Sequence, residues 1–358
     1  MRLIEESGTF DGILEQDAAK LLLNAALNEG VAHAYLFHGP DGVGKLTTAL
    51  AFAAAILGDT SRVLRRSHPD LYVLEPLGDQ IRIGDIHALR RDLSLRPFEG
   101  SRRVYIIEHA DSMNPDATDA LLKSLEEPPL YATLVLLADR LTLLSETIRS
   151  RCQVVPFRSL SKNAISVWLS EQSQGISDFD LLSRASGGTL EKARRFLDPE
   201  EVTARCELLE LIRSIYRDKS FDGLCAVQKV LDIALLHGNE ARSLVREEVD
   251  DSLTKREIEQ IERRAGRGAE RKYVIEVVEM VTVWLRDLLL TINGAPEAVV
   301  NVDFTSELIE DVSLVDSAEI ESAIGVVLEM RRRFDLQLQE ALTLDAMFVS
   351  LRRELARR

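Results

Sequence analysis

Seven residues, Gly39-Pro40-Asp41-Gly42-Val43-Gly44-Lys45, constrain this chain more than any other feature. They follow a short apolar run, Ala34–His38, and precede a helix-forming one. Glycines at this spacing let backbone N–H groups curl around phosphate oxygens, the following helix N-terminus adds partial positive charge, and the lysine reaches the terminal phosphates. A strand, a phosphate loop and a helix in that order need a parallel sheet to carry them, so the expected fold class is α/β.

The rest of the first half agrees. Runs rich in β-branched and aromatic residues recur at Leu71–Leu74, Arg103–Glu108, Thr133–Ala138 and Gln153–Phe157. Several are nearly continuous in apolar residues, as strands buried on both faces are. Helical patterns separate them at Gly44–Ile56, Asp85–Leu93 and Asp116–Leu125. Alternation of this kind predicts a parallel sheet covered by helices. Beyond Phe157 the β signal fades, and Asn163–Gln172, Asp178–Ala185 and Leu190–Leu197 read as short helices. The polar stretch Asp198–Thr203 has no apolar periodicity and reads as a linker. Further on, Val274, Val277, Val278, Val281, Trp284, Leu285, Leu288, Leu289 and Ile292 follow the i, i+3, i+4, i+7 pattern of a buried helix stripe. The expected domains are 1–158, a P-loop domain; 159–203, a small helical module; and 204–358, an all-helical domain.

Charge and cysteine usage exclude some functions. Lys and Arg number 44 against 59 Asp and Glu, a net charge of −15. A field of that sign repels nucleic acid and anionic membranes, so any DNA contact has to be local. Lys255–Lys272 mixes both signs and reads as a solvated helix face, as do Arg331–Arg333 and the Arg357-Arg358 pair. Three scattered cysteines, Cys152, Cys206 and Cys225, suit neither a disulfide framework nor a four-ligand zinc site. No window is apolar enough for a membrane helix and the N-terminus has no secretory pattern, so a reducing cytoplasm is expected.

The chemistry of the loop looks incomplete. A working loop places Ser or Thr after the lysine to hold Mg²⁺. Here Leu46 follows, and Thr47 is rotated by about 100° around the helix. The strand that should end in an Asp for metal and a Glu for water ends instead in Glu108 and His109. A neutral His109 acting as a base and a decayed site are both open. Arg151, in Thr147-Ile148-Arg149-Ser150-Arg151-Cys152-Gln153, is either a structural cation or an arginine finger for a phosphate held by a neighbouring subunit.

Together these residues resemble the bacterial clamp-loader subunits of the AAA+ ATPase superfamily, and most closely their delta-prime branch. His33–Pro40, His68-Pro69-Asp70, Ile81-Arg82-Ile83, Ala120–Pro129, Ser150-Arg151-Cys152 and Trp284–Leu289 carry the likeness, which covers the first half and one stretch of the tail. The resemblance implies an AAA+ P-loop domain, a helical lid and a helical collar that joins subunits. It implies a degenerate nucleotide site at Gly39, Gly42, Val43, Gly44, Lys45, Leu46 and Thr47, with ATP or ADP possible and Mg²⁺ weak or absent. Motor subunits of the family carry a Lys-Ser/Thr pair, an Asp-Glu pair and a cysteine-rich zinc module; Leu57–Pro69 contains no cysteine, so no zinc is expected. The delta-prime branch tolerates a silent site and keeps the finger, which assigns Arg151 as a catalytic group acting in trans. Arg140 and Lys192 or Arg194 fall near the family's two sensor positions. Implied partners are the gamma/tau motor and delta subunits, the sliding clamp and primed DNA through the assembly, with no membrane. Two alternatives stand beside this: an active gamma/tau-like ATPase, and an interaction subunit that binds no nucleotide.

Overall fold

The computed structural model describes residues 8–172, 179–248, 254–335 and 339–356. Arg357 and Arg358 lie outside them. The chain divides into two compact units, Met1–Gln172 with Gly188–Lys192, and Ser173–Gly187 with Ala193–Arg358.

The first unit runs α1 (Asp17–Glu29), β1 (Ala34–His38), α2 (Lys45–Leu57), α3 (Thr60–Leu64), β2 (Leu71–Leu74), α4 (Ile83–Leu93), β3 (Arg103–Ile107), α5 (Pro115–Glu126), β4 (Ala132–Ala138), α6 (Glu146–Arg149), β5 (Gln153–Pro156) and α7 (Lys162–Gln172). The five strands form one sheet in the order β2-β3-β4-β1-β5, with every pairing parallel. The expected α/β class is therefore present, and each strand lies within a residue of its predicted bounds. Alternate side chains feed two cores. Tyr35, Phe37, Val104, Ile106, Val135 and Leu137 pack beneath α1 and α2, while Leu36, Tyr105, Ile107, Leu134 and Leu136 pack beneath α4 and α5. Burial on both faces is why β3 and β4 read as unbroken apolar runs.

The second unit is helical, with α8 (Phe179–Ala185), α10 (Pro199–Arg217), α11 (Gly223–Glu248), α12 (Lys255–Ile292), α13 (Thr305–Asp311), α14 (Ser317–Asp335) and α15 (Glu340–Leu355); α9 (Leu190–Arg195) begins in the first unit. Val274, Val277, Val278, Val281, Trp284, Leu285 and Leu288 of the expected stripe are buried in its core, and Leu289 and Ile292 are packed against it. The stretch expected as a linker, Asp198–Thr203, is instead the start of α10. Asp198 caps it by accepting the Glu200 N–H at 2.9 Å, and Pro199 occupies the first turn. A cap, a proline and acids without apolar periodicity are also what a helix start looks like. The charged Lys255–Lys272 forms the first half of α12, and Arg242 and Arg246 of α11 pair with its Glu270 and Glu262. Part of that charge therefore ties helices together.

Candidate functional site

The phosphate loop leaves β1, which lies between β4 and the edge strand β5. Gly39 N–H donates to Ala138 O at 3.2 Å, which holds the loop's first residue against the end of β4. Its φ of 152° and the 2.3 Å that would separate an added Cβ from Phe157 O require glycine there. Gly42 and Gly44 also have positive φ, 69° and 97°, and Gly42 O accepts the Leu190 N–H at 2.8 Å. The first bond of α2 runs from Thr48 N–H to Gly44 O, so the N–H groups of Lys45, Leu46 and Thr47 are those a helix start leaves without an intrahelical acceptor, while the Gly42 N–H donates to Asp41 Oδ1 at 2.8 Å. This backbone fits a phosphate.

Lys45 stands less ready. It is only 6% exposed, and its ammonium donates to Gly39 O at 2.8 Å and Pro40 O at 2.5 Å and pairs with Asp139 Oδ1 at 2.8 Å. Asp139 Oδ2 in turn lies 3.3 Å from His109 Nδ1. Burial opposes the charge on Asp139, but the His109 contact and the Lys45 charge win and hold its carboxyl down at about 2. The same contact raises the His109 imidazole above its ordinary value, against its burial. His109 has a left-handed backbone, φ 47° and ψ 48°. The sequence reading missed Asp139. Its signal was position: it is the first residue beyond β4, whose last residue, Ala138, aligns with His38 at the mouth of the loop.

Where a working loop sets its metal-binding hydroxyl, this one continues into Leu46, Thr47 and Thr48. Leu46 packs against the core under α2, Thr47 is exposed, and the buried Thr48 hydroxyl donates to Gly44 O at 2.8 Å. The loop thus presents a phosphate cradle without the adjoining hydroxyl that Mg²⁺ chemistry uses. Glu108 is mostly buried; desolvation raises its carboxyl, and Arg66 at 3.5 Å works the other way. No group of three or more His, Cys, Asp or Glu that could hold a metal occurs among the described residues.

Arg151 lies at the other end of the sheet. Gln153 aligns with Tyr35 in the parallel β1–β5 pair, so Arg151 enters β5 at the level where β1 begins. Gly39 is about six residues further along, roughly 20 Å at a strand's rise. Ser145 caps α6 by accepting the Ile148 N–H, and the turn closes with Arg151 N–H on Ile148 O at 3.1 Å. The Arg151 guanidinium bonds to Thr147 O at 3.1 Å and to Glu126 Oε1 at 2.7 Å, with a third of its side chain exposed. Cys152, next to it, packs on the core, where burial pushes its thiol up to about 12.

His68-Pro69-Asp70 has a structural use. Asp70 is fully buried, and its carboxylate accepts the N–H groups of Phe98, Glu99 and Gly100 at 2.6, 3.0 and 3.1 Å. Burial would raise its pKa, yet those three donors lower it.

A family model described as "DNA polymerase III, delta subunit" matches residues 14–161, the segment that builds this sheet. A DNA polymerase III subunit delta' from Bacillus subtilis is 32% identical over 218 residues, 58% of this chain and 66% of the relative. The subunit delta' from Pseudomonas aeruginosa is 37% identical over 136 residues, 34% of this chain and 42% of its own. A subunit tau from Bacillus subtilis is 30% identical over 168 residues, 43% of this chain and 30% of its own. The chain therefore spans just under two thirds of the Bacillus delta' relative and less of the others. With its loop, strands and Ser-Arg-Cys turn all inside the matched segment, this chain belongs to the delta-prime family of bacterial DNA polymerase III subunits.

Proposed function

We propose that this chain is a non-hydrolysing stator of a clamp loader, acting in the cytoplasm with gamma/tau motor and delta subunits to place a sliding clamp on primed DNA. The observation that carries the reading is the position of Arg151. It lies at the end of the sheet opposite the chain's own phosphate loop, beyond the reach of any phosphate held there. A guanidinium so placed serves a phosphate presented by a neighbouring subunit, where it stabilises charge on the transferring γ-phosphate. Glu126 at 2.7 Å keeps it oriented until such a phosphate displaces the carboxylate. Leu46 in place of a metal-binding hydroxyl and His109 in place of an acid leave the chain's own loop with binding but no turnover. ADP or ATP would lie on the Gly39–Lys45 backbone. DNA would be held along its phosphates by the whole assembly, since this chain's charge is −15.

Replacing Arg151 by Ala tests the assignment in a loader reconstituted with its motor subunits. Because an arginine finger contributes on the order of 10³–10⁵ in rate, DNA- and clamp-stimulated hydrolysis at the adjoining site should fall by at least about a hundredfold while assembly persists. Unchanged hydrolysis would remove the finger. Turnover by the isolated chain, lost in Lys45→Ala, would make it a motor subunit instead.

A further inference from the structure

We propose that Asp139 is an internal stand-in for phosphate: it competes with nucleotide for Lys45, and His109 sets how strongly it competes. The inference rests on reading Gly39–Lys45 as a phosphate loop and is independent of the role of Arg151.

Three features carry it. Lys45, the loop's one cation, is already engaged by a carboxylate at 2.8 Å as well as by two loop carbonyls. Asp111 accepts the Asp139 N–H at 3.3 Å and that of Arg140 at 3.0 Å, which fixes the backbone at the end of β4 and so keeps the Asp139 carboxylate within reach of Lys45. Its second oxygen meets His109, whose left-handed backbone stands at the point where β3 gives way to the next turn. The segment that carries two catalytic acids in a working site thus supplies Asp111 and His109, and both act on the β4 terminus. A phosphate entering the cradle and the Asp139 carboxylate are like charges seeking one ammonium, so each weakens the other. A positive His109 partly cancels the Asp139 charge and makes that entry easier. Gain of affinity on removing the carboxylate charge is therefore the distinguishing consequence, since damage to a merely structural contact cannot tighten binding.

The test is equilibrium titration of the full chain with N-methylanthraniloyl-ADP, without Mg²⁺, on folded protein verified by circular dichroism melting. Asp139→Asn, and Asp139→Ser as a second shape, should bind at least about tenfold tighter than wild type, the scale expected for deleting one like charge beside a phosphate. His109→Asn, which suits a left-handed backbone, should bind severalfold more weakly, and the double variant Asp139→Asn/His109→Asn should match Asp139→Asn alone. Lys45→Ala should abolish the gain. Wild-type binding as tight as Asp139→Asn overturns the competition and leaves the phosphate-loop reading intact. Binding by no variant overturns both, while the Arg151→Ala experiment still reports separately on the stator.

Discussion

Each unit of this chain holds a carboxylate between cations, and the two are built to opposite ends. In the helical unit Asp311 is fully buried and takes Arg213 Nε at 2.9 Å, Tyr216 OH at 2.6 Å and a contact from Arg217. Trp284 Nε1 closes the network by donating to Tyr216 OH at 2.9 Å. In the sheet unit Asp139 takes Lys45 and His109, yet 27% of Asp139 and 43% of His109 remain exposed. Only Arg217 of the groups named here reaches solvent, and the buried Asp311, Arg213, Tyr216 and Trp284 have no solvent to exchange with, so they fix how α10, α12 and α13 pack. An open network at the mouth of a loop can trade a member for a ligand. Similar chemistry serves architecture in one place and binding in the other because of what solvent reaches.

The largest effect should follow from breaking the buried network. Asp311→Ala takes the one buried carboxylate from Arg213 and Tyr216 and leaves Arg213 only the exposed Glu210 at 2.6 Å and Glu310 at 3.6 Å, a loss of about 3 kcal/mol. Urea unfolding reported by Trp284, in a Trp168→Phe background, measures it. A loss below about 1 kcal/mol would mean that water enters the network and that the contrast with Asp139 is false.

The open network should respond to acid. Asp139 is held near 2 in the folded chain, against about 3.9 unfolded. A lowered carboxyl stabilises above its unfolded value and loses that stabilisation as pH falls through the folded one. About 2.5 kcal/mol, the linkage equivalent of that shift, should therefore be present at pH 5 and fade between about pH 4 and pH 2. Comparing urea midpoints of wild type and Asp139→Asn across that range checks it: the difference should shrink on acidification. A constant difference would show that Asp139 is not charged against Lys45.

The smallest effect is expected at Leu46. Its side chain is half-buried against the core, so Leu46→Ser should cost about 1 kcal/mol of stability. Restoring the hydroxyl should bring no Mg²⁺-dependent phosphate release, because His109 still occupies the second acidic position. Measurable turnover in this variant would show that one residue alone silenced the site.

Much of the first unit was readable along the chain. A buried parallel strand needs apolar residues on both faces, and a phosphate loop needs glycine where φ is positive, so β1, β3, β4 and Gly39–Lys45 announce themselves locally. The α10 start did not, since Asp198-Pro199 with its acids satisfies a linker and a helix cap equally well until the helix finds its core. The candidate site was legible by half: Lys45, Leu46, Glu108, His109 and Arg151 were visible as residue types. Asp139 was not, for no local pattern marks an acid after a strand as the partner of a distant lysine.

Sequence alone, then, determined the class of fold, the glycine pattern of Gly39–Lys45 and the placing of Leu46 after the lysine, because backbone sterics and side-chain chemistry act over a few neighbouring residues. Tertiary structure decided the rest. Strand order put β4 between β3 and β1, which brought Asp139 to Lys45 on one side and His109 to Asp139 on the other. Parallel register put Arg151 at the end of the sheet away from the loop. Both depend on which strands lie side by side, and that is set by burial over the whole domain.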